Sequence, residues 1–318
     1  MAIKQTQIQN SAWLKYAGAL LLAFAFLVFL GILLFSSIST PLFGKCVAVV
    51  TIDQEITSRS SAPGLFSEAA PGSEDIAAAI DALNERDDVG AVLFVMDSPG
   101  GSTLGSREIY ASVKNLDKPK VAYFREVAAS GAYYISAGTD YIISEPDALT
   151  GSIGVIMTLS DMSGLFEKIG YNMTAIKSGE VKDIGSSARP VTPKERAILQ
   201  SIVDEVFSEF KSVVLTNRGS RLDTERFNEI LDGRVVSGRQ AKEIGLVDAT
   251  GTRKDAIAKA AALANITDEV PRLCEVSASQ PGSGGLFSSS SFLSGLFNGI
   301  AKGLGSGADA KKVSVRYE

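Results

Sequence analysis

The stretch VAASGAYYISAGTD, residues 127–140, sets one serine, Ser130, among small residues and follows it with Gly131 and two tyrosines. A serine hydroxyl becomes a nucleophile when a neighbouring base takes its proton, and the usual base is histidine. The chain contains no histidine. Taken alone, Ser130 reads as a helix N-cap. Lysine can replace histidine when it is neutral. At its ordinary pKa of about 10.4, only roughly one lysine in a thousand is neutral near pH 7.4, but burial among apolar groups can lower the value by several units. Lys182, in IKSGEVKDIGSSARPVT, is a candidate and Lys177 its local competitor, and the residues alone do not choose between them. Asp183 would pair with Lys182 unless its side chain points away.

Two glycine-rich turns complete the set. DSPGGS (97–102) ends one apolar run and opens a helical one, so its backbone N–H groups can face a ligand oxygen, as an oxyanion hole requires. Gly131, directly after Ser130, leaves room for a bound carbonyl. No phosphate-binding loop appears. Two distant cysteines and no histidine leave only carboxylates as metal ligands, and these form no recognisable ligand loop. We therefore expect no metal and no cofactor.

The elements that must position these residues follow from patterning. CVAVVTID (46–53), GAVLFVMD (90–97) and PKVAYF (119–124) are continuous apolar runs suited to buried strands, and NMTAI (172–176) reads as a further strand. SEDIAAAIDALNERDD opens with a capping serine, Ser73, and keeps Ile76, Ala79, Ile80 and Leu83 at helical spacing. REIYASVKNL, Ser130–Gly138, Pro193–Asn217 and Thr252–Ala264 read as helices, and 226–248 as two short helices and a last strand. Strands alternating with helices predict an α/β core with mostly parallel strands covered on both faces.

Residues 16–35, YAGALLLAFAFLVFLGILLF, carry no charge over the length a helix needs to cross a bilayer. The sequence predicts a short cytoplasmic N-terminus over 1–15 and an uncleaved anchor over 16–38. Lys4 and Lys15 before the run place the bulk of the chain outside the cytoplasm. A folded domain is expected over 45–270 and a flexible, Gly- and Ser-rich tail over 271–318. Cys46 and Cys274 are compatible with one disulfide in an oxidising compartment, and equally with two buried thiols. The formal net charge of −5 gives no basic field for a phosphate backbone, so nucleic acid is set aside as a partner.

DSPGG, AASGAYYIS, LTGSIGVI, KSGEVKDIGSSARPVT and DGRVVSGRQAKEIGLVD, in this order and spacing, resemble the signal peptide peptidase A family, the membrane-anchored serine proteases of peptidase family S49 also called protease IV. The similarity covers about residues 45–265. It implies a fold like that of caseinolytic protease (ClpP) and the crotonases, and a Ser/Lys dyad. Ser130 matches the nucleophile and Lys182 the general base. Ser152 matches the serine that orients the lysine, and the N–H groups of Gly101 and Gly131 match the oxyanion donors.

The resemblance further implies acyl transfer on hydrophobic peptides such as cleaved signal peptides left in the inner or plasma membrane. Family members form ring-like or dome-like homo-oligomers, an octamer for a short single-repeat member, and their sites combine residues from neighbouring subunits. In some relatives a C-terminal segment lies in a neighbouring groove, and the Leu and Phe residues of GGLFSSSSFLSGLFNGIAKGLG could do the same. Two other readings stand beside this one: a non-catalytic membrane scaffold, and acyl-CoA chemistry on the same superfamily fold.

Overall fold

Alternate residues of three successive apolar runs go to opposite sides of one sheet, the two-residue period of a strand. In the computed structural model, which describes residues 16, 20, 21, 23–30, 44–62, 70–276 and 316–317, these runs are β1 (Cys46–Ile52), β2 (Val89–Ser98) and, after the short β3 (Gly101–Ser102), β4 (Lys120–Ala129). Ala48, Val50, Val92, Phe94, Ala122 and Phe124 face one hydrophobic core. Val47, Val49, Ala91, Leu93, Val121 and Tyr123 face the other.

The sheet continues through β5 (Tyr141–Ser144), β6 (Leu149–Gly151), β7 (Val235–Ser237), β8 (Ala249–Thr250) and β9 (Leu273–Val276). Its eight strands run β7-β6-β4-β2-β1-β9, with β5 beside β4 and β8 beside β5. All pairs are parallel except β6 with β7. The mostly parallel α/β architecture agrees with the expectation and fits a ClpP-like fold. β4 serves two neighbours in turn: residues 121–124 pair with β5 and residues 127–129 with β6. The shift in its register against β2, between Met96 and Ser98, lets the far end of β4 leave its first partner and deliver Ser130.

Helices cover both faces. The first core lies under α1 (Ser73–Asp81), α2 (Thr103–Asn115), α3 (Gly131–Ser136) and the long α5 (Pro193–Arg218), which follows the short α4 (Ser163–Lys168). Beyond α6 (Thr224–Glu229), α7 (Gly238–Ile244) adds Ala241 and Ile244 to that core. The second core is closed by α8 (Arg253–Leu263) through Ala256, Ala260 and Ala261, whose small side chains let the helix lie close to the strands.

Three local expectations change, and one that was open is settled. The N-cap of α1 is Gly72, not Ser73: Asp75 accepts the Gly72 N–H at 3.1 Å, and the Ser73 hydroxyl instead donates to Glu108. Residues 172–176 form no strand; they are exposed and no sheet edge lies beside them among the described residues. The folded part passes residue 270, because β9 pairs with β1. That pairing puts Cys274 beside Ala48 and brings it to Cys46, and the two are joined in a disulfide with their Cα atoms 6.0 Å apart.

Residues up to Gly44 form a unit of their own. Its described residues 23–30 are helical, and Phe24, Phe26, Leu27 and Phe29 are exposed. Most of the expected anchor lies outside the described residues, and among those described no helix is long and apolar enough to cross a membrane. Nearly all of the tail, with its Leu and Phe residues, also lies outside them.

Arg218, the last residue of α5, is fully buried. It meets Asp248 through Nη1–Oδ2 (2.8 Å) and Nη2–Oδ1 (3.0 Å), and donates to the Gly245 carbonyl. Asp248 also accepts the Ile142 N–H at 2.7 Å, so one carboxylate ties α5 to β5. Removing Arg218 leaves the largely buried Asp248 charge with the longer contact to Arg221 Nε, at 3.4 Å, as its remaining ion pair among the described residues. Arg218→Met is therefore expected to cost about 3–5 kcal/mol in urea denaturation; a loss below 1 kcal/mol would contradict this assignment.

Candidate active site

Ser130 is where β4 becomes α3. Its N–H donates to the Gly151 carbonyl at 2.9 Å, continuing the β4–β6 ladder, while its own carbonyl already accepts the Tyr134 N–H of the new helix at 2.9 Å. Making both bonds in one residue requires a sharp reversal, and Ser130 adopts φ 55°, ψ −118°. That is the conformation of the first central residue of a type II′ turn, a glycine position. A serine held there costs on the order of 1–3 kcal/mol.

The two tyrosines after Ser130 hold the helix that follows the strained junction. Tyr133 Oη donates to the Leu246 carbonyl at 3.0 Å and Tyr134 Oη to Glu209 Oε1 at 3.3 Å. Tyr134 packs edge-on between Tyr110 and Phe210, with centroids 5.1 and 5.2 Å away. Burial pushes both phenols above the ordinary tyrosine range, so they remain donors.

The DSPGGS turn is clipped to a neighbouring segment on both sides of Gly101. Ile56 N–H donates to the Gly100 carbonyl and Ser102 N–H to the Ile56 carbonyl, each at 2.7 Å. A methyl group on Gly101 would stand 2.2 Å from Ile56 O, which explains the glycine. A methyl on Gly100 would lie 2.7 Å from Gly131 N and 2.9 Å from Ser130 Cβ. One built on Gly131 would lie 3.4 Å from Gly101 N and 2.2 Å from Ser106 Oγ. Only backbone fits between the two loops, so Ser130, Gly101 and Gly131 are brought together. Ser152 is adjacent through Gly151 and is itself a buried serine with positive φ, 48°.

Ser130 Oγ and Ser106 Oγ are the buried side-chain oxygens without a hydrogen-bond partner among the described residues. An unmade bond of a buried hydroxyl costs roughly 1–3 kcal/mol, and two such atoms on either side of Gly131 mark a place where a ligand atom would be satisfied. Ser106 was not singled out by sequence reasoning. The available signal is its spacing, one helical turn past Ser102, whose hydroxyl caps α2 by accepting the Gly105 N–H at 3.2 Å.

Against β3 lies β10 (Arg316–Tyr317), antiparallel, with Tyr317 opposite Gly101 and Arg316 opposite Ser102. An extended backbone thus already runs along the glycine loop.

Lys182 makes no hydrogen bond to Ser130 within the described chain: Ser130 Oγ has no hydrogen-bond partner there, and Lys182 lies in an exposed turn where its N–H donates to the Gly179 carbonyl. Asp183 is engaged by cations other than Lys182. That carboxylate accepts from Lys177 Nζ at 2.6 Å and from Arg189 Nη2 and Nε at 2.8 and 3.0 Å. Arg189 continues to the buried Glu195, which forms a capping box with Thr192 at the start of α5. Arg189 and then Lys177 hold the Asp183 carboxyl well below the usual carboxylate range, and Arg189 lowers Glu195 to about 2. The sulfurs of Cys46 and Cys274 lie with Asp88 in a group of metal-ligand size, but a disulfide offers no thiolate.

A profile described as "Peptidase family S49" matches residues 113–267. A Methanocaldococcus jannaschii protein whose name carries the word protease is 36% identical over 296 residues, 90% of this chain and 92% of its own length. The chain belongs to peptidase family S49. Relatives of this S49 peptidase include "Serine protease SPPA, chloroplastic" of Arabidopsis thaliana, 34% identical over 62% of this chain and 30% of that protein. "Protease 4" of Salmonella typhi is 30% identical over 72% of this chain and 37% of that protein. It is a peptidase of the SppA type.

Two outcomes follow for the S49 domain. Ser130→Gly removes the strain at φ 55° and is expected to raise unfolding stability by about 1–2 kcal/mol; an unchanged or lowered denaturation midpoint contradicts the strain. The lowered carboxyl groups give the loop an acid limit. A depressed group contributes stability above its unfolded value, near ~4, that is lost as pH falls through its folded one. With Glu195 at about 2 and Asp183 also depressed, residues 177–189 should resist pepsin at pH 4 and become cleavable as the pH falls towards 2. Equal cleavage rates at both pH values, after correction for pepsin activity, would contradict the linkage.

Proposed function

We propose that this S49 peptidase is a serine endopeptidase in which Ser130 is the nucleophile and Lys182 the general base. The observation that carries the reading is the strained, buried and unpartnered hydroxyl of Ser130 packed against Gly101 and Gly131. Neutral Lys182 takes the Ser130 proton as Oγ attacks a peptide carbonyl, and the N–H groups of Gly101 and Gly131 hold the oxyanion. The lysine then protonates the leaving amine, and water hydrolyses the acyl-enzyme. Ser152, beside Ser130, orients the lysine. The substrate lies extended along Gly101–Ser102, the edge that β10 occupies, as strand addition would have it.

Because Lys182 is exposed on one chain, the base comes from a second copy, and the enzyme is a homo-oligomer. Ile156, Leu165, Ile169, Tyr171, Met173 and Ile176 support this: they stand exposed on the segment leading to Lys182, where a monomer would gain nothing from them. The protein is anchored by the apolar run over 16–35, with the peptidase domain on the non-cytoplasmic side. The Cys46–Cys274 disulfide favours an oxidising compartment, and hydrophobic peptides such as signal peptide remnants are the substrates.

The test is hydrolysis of a fluorogenic peptide by Ser130→Ala, Lys182→Met and their co-assembled mixture. Both variants should lose at least about 1,000-fold in kcat, the scale of removing one member of a unit that acts together. The mixture should regain activity, since some of its sites combine an intact Ser130 with an intact Lys182 from another copy. Full activity of Lys182→Met would refute the dyad; a silent mixture of well-formed oligomers would place both residues of the dyad in one chain.

A further inference from the structure

The loop that carries Lys182 arranges its charges in a way that the bare need for a base does not explain. The segment 177–195 holds the cations Lys177, Lys182, Arg189 and Lys194 and the carboxylates Glu180, Asp183 and Glu195. Each carboxylate is engaged by a cation other than Lys182. Glu180 meets Lys194 at 2.5 Å, Asp183 meets Lys177 and Arg189, and Glu195 meets Arg189. Lys182 alone of the four cations makes no ion pair among the described residues.

We infer that Lys177, Arg189 and Glu195 form a clamp that keeps the Asp183 carboxylate off the neighbouring Lys182 amine, which makes these three positioning residues for the reaction. The inference rests on the reading of Lys182 as the base. Its geometry is specific. Both Asp183 oxygens are taken, Oδ1 by Lys177 Nζ and Arg189 Nη2 and Oδ2 by Arg189 Nε. Arg189 cannot swing away to release them, because Nη1 and Nη2 are also held by the two oxygens of Glu195. Glu195 is 2% exposed and is fixed in turn by the Thr192 N–H at 3.0 Å and hydroxyl at 3.1 Å. Lys177 Nζ is pinned a second time by the Glu180 carbonyl at 2.8 Å.

The chain of contacts runs from the rigid start of α5 to the residue next to Lys182. A planar guanidinium is the group able to grip two carboxylates at once. Its two cations and two anions balance, so the clamp adds no net charge beside the amine. A carboxylate released within about 4–6 Å of the amine would favour its protonated form by roughly 1–3 pH units.

The experiment compares pH profiles of kcat for fluorogenic peptide hydrolysis by the full-length oligomer. The variants are Lys177→Met, Arg189→Met, Arg189→Lys and Arg189→Met combined with Asp183→Asn. The ionisable groups of the loop and the helix start are Lys177, Glu180, Lys182, Asp183, Arg189, Lys194, Glu195 and Arg196, and Asp161 lies on the segment whose Met162 N–H donates to the Ser187 carbonyl. Arg189→Met is expected to move the ascending limb up by about one pH unit and to lower kcat roughly tenfold on the acid side of that limb. Asp183→Asn in the same chain should return the limb to its wild-type position, and Arg189→Lys should shift it less than Arg189→Met. A purely structural loop contact would lower kcat at every pH and would not be rescued by Asp183→Asn.

An unmoved limb in Arg189→Met, or no rescue by Asp183→Asn, overturns the clamp while leaving the dyad intact. If Lys182→Met itself stays active, the dyad fails first. Should Arg189→Met lose its cooperative thermal transition, Lys177→Met decides: it frees one bond to Asp183 at the loop surface, and its limb must shift in the same direction or the clamp is refuted.

Discussion

The site depends on one backbone constraint, the reversal at Ser130. The β4–β6 ladder demands its N–H and α3 demands its carbonyl, and the two demands meet only at a positive φ. Everything nearby keeps that conformation from relaxing. Gly100 and Gly131 allow two loops to touch through backbone alone, Ile56 locks the glycine loop on both sides, and two buried tyrosines anchor the helix. The strain is sustained because each of these contacts would have to break for Ser130 to turn, and a strained, exactly placed side chain is what a nucleophile at a strand-to-helix turn requires.

The rest of the molecule divides into a part that specifies this reversal and a part that faces outward. The sheet and the helices on it bury their apolar residues at strand and helix periods, so the Ser130 junction is built on rigid elements. The segment from about 155 to 190 does the opposite: its apolar residues are exposed, and its order comes from ion pairs and turns. On the proposed reading, nucleophile and oxyanion donors sit on the rigid part and the base on the outward part. The base then acquires its apolar surroundings only when another copy covers it, and activity is tied to assembly.

The elements legible in the sequence were those governed by local periodicity or by a single residue's chemistry. β1, β2, β4, α2, α3, α5 and α8 follow from apolar spacing, and the glycine loop from DSPGGS. NMTAI is an apolar, β-prone run, but such a run becomes a buried strand only beside a sheet edge, and the sequence does not reveal where the edges lie. The Cys46–Cys274 bond was undecidable from spacing, since it depends on β9 returning to lie beside β1. The Asp183–Arg189–Glu195 network was invisible for a similar reason: six-residue separations across a non-helical turn have no periodic signature. The sequence did raise the right difficulty, the carboxylate next to Lys182, and only side-chain directions could answer it.

That answer bears on why a lysine can serve where histidine is absent. The unperturbed pKa of histidine already lies near neutrality, so its surroundings need chiefly to orient it. A lysine must have its ammonium form disfavoured, and two influences do that: loss of water and absence of counter-charge. On the proposed reading the described chain supplies the second, by matching Glu180, Asp183 and Glu195 to other cations. The first is left to whatever surface covers the exposed apolar segment.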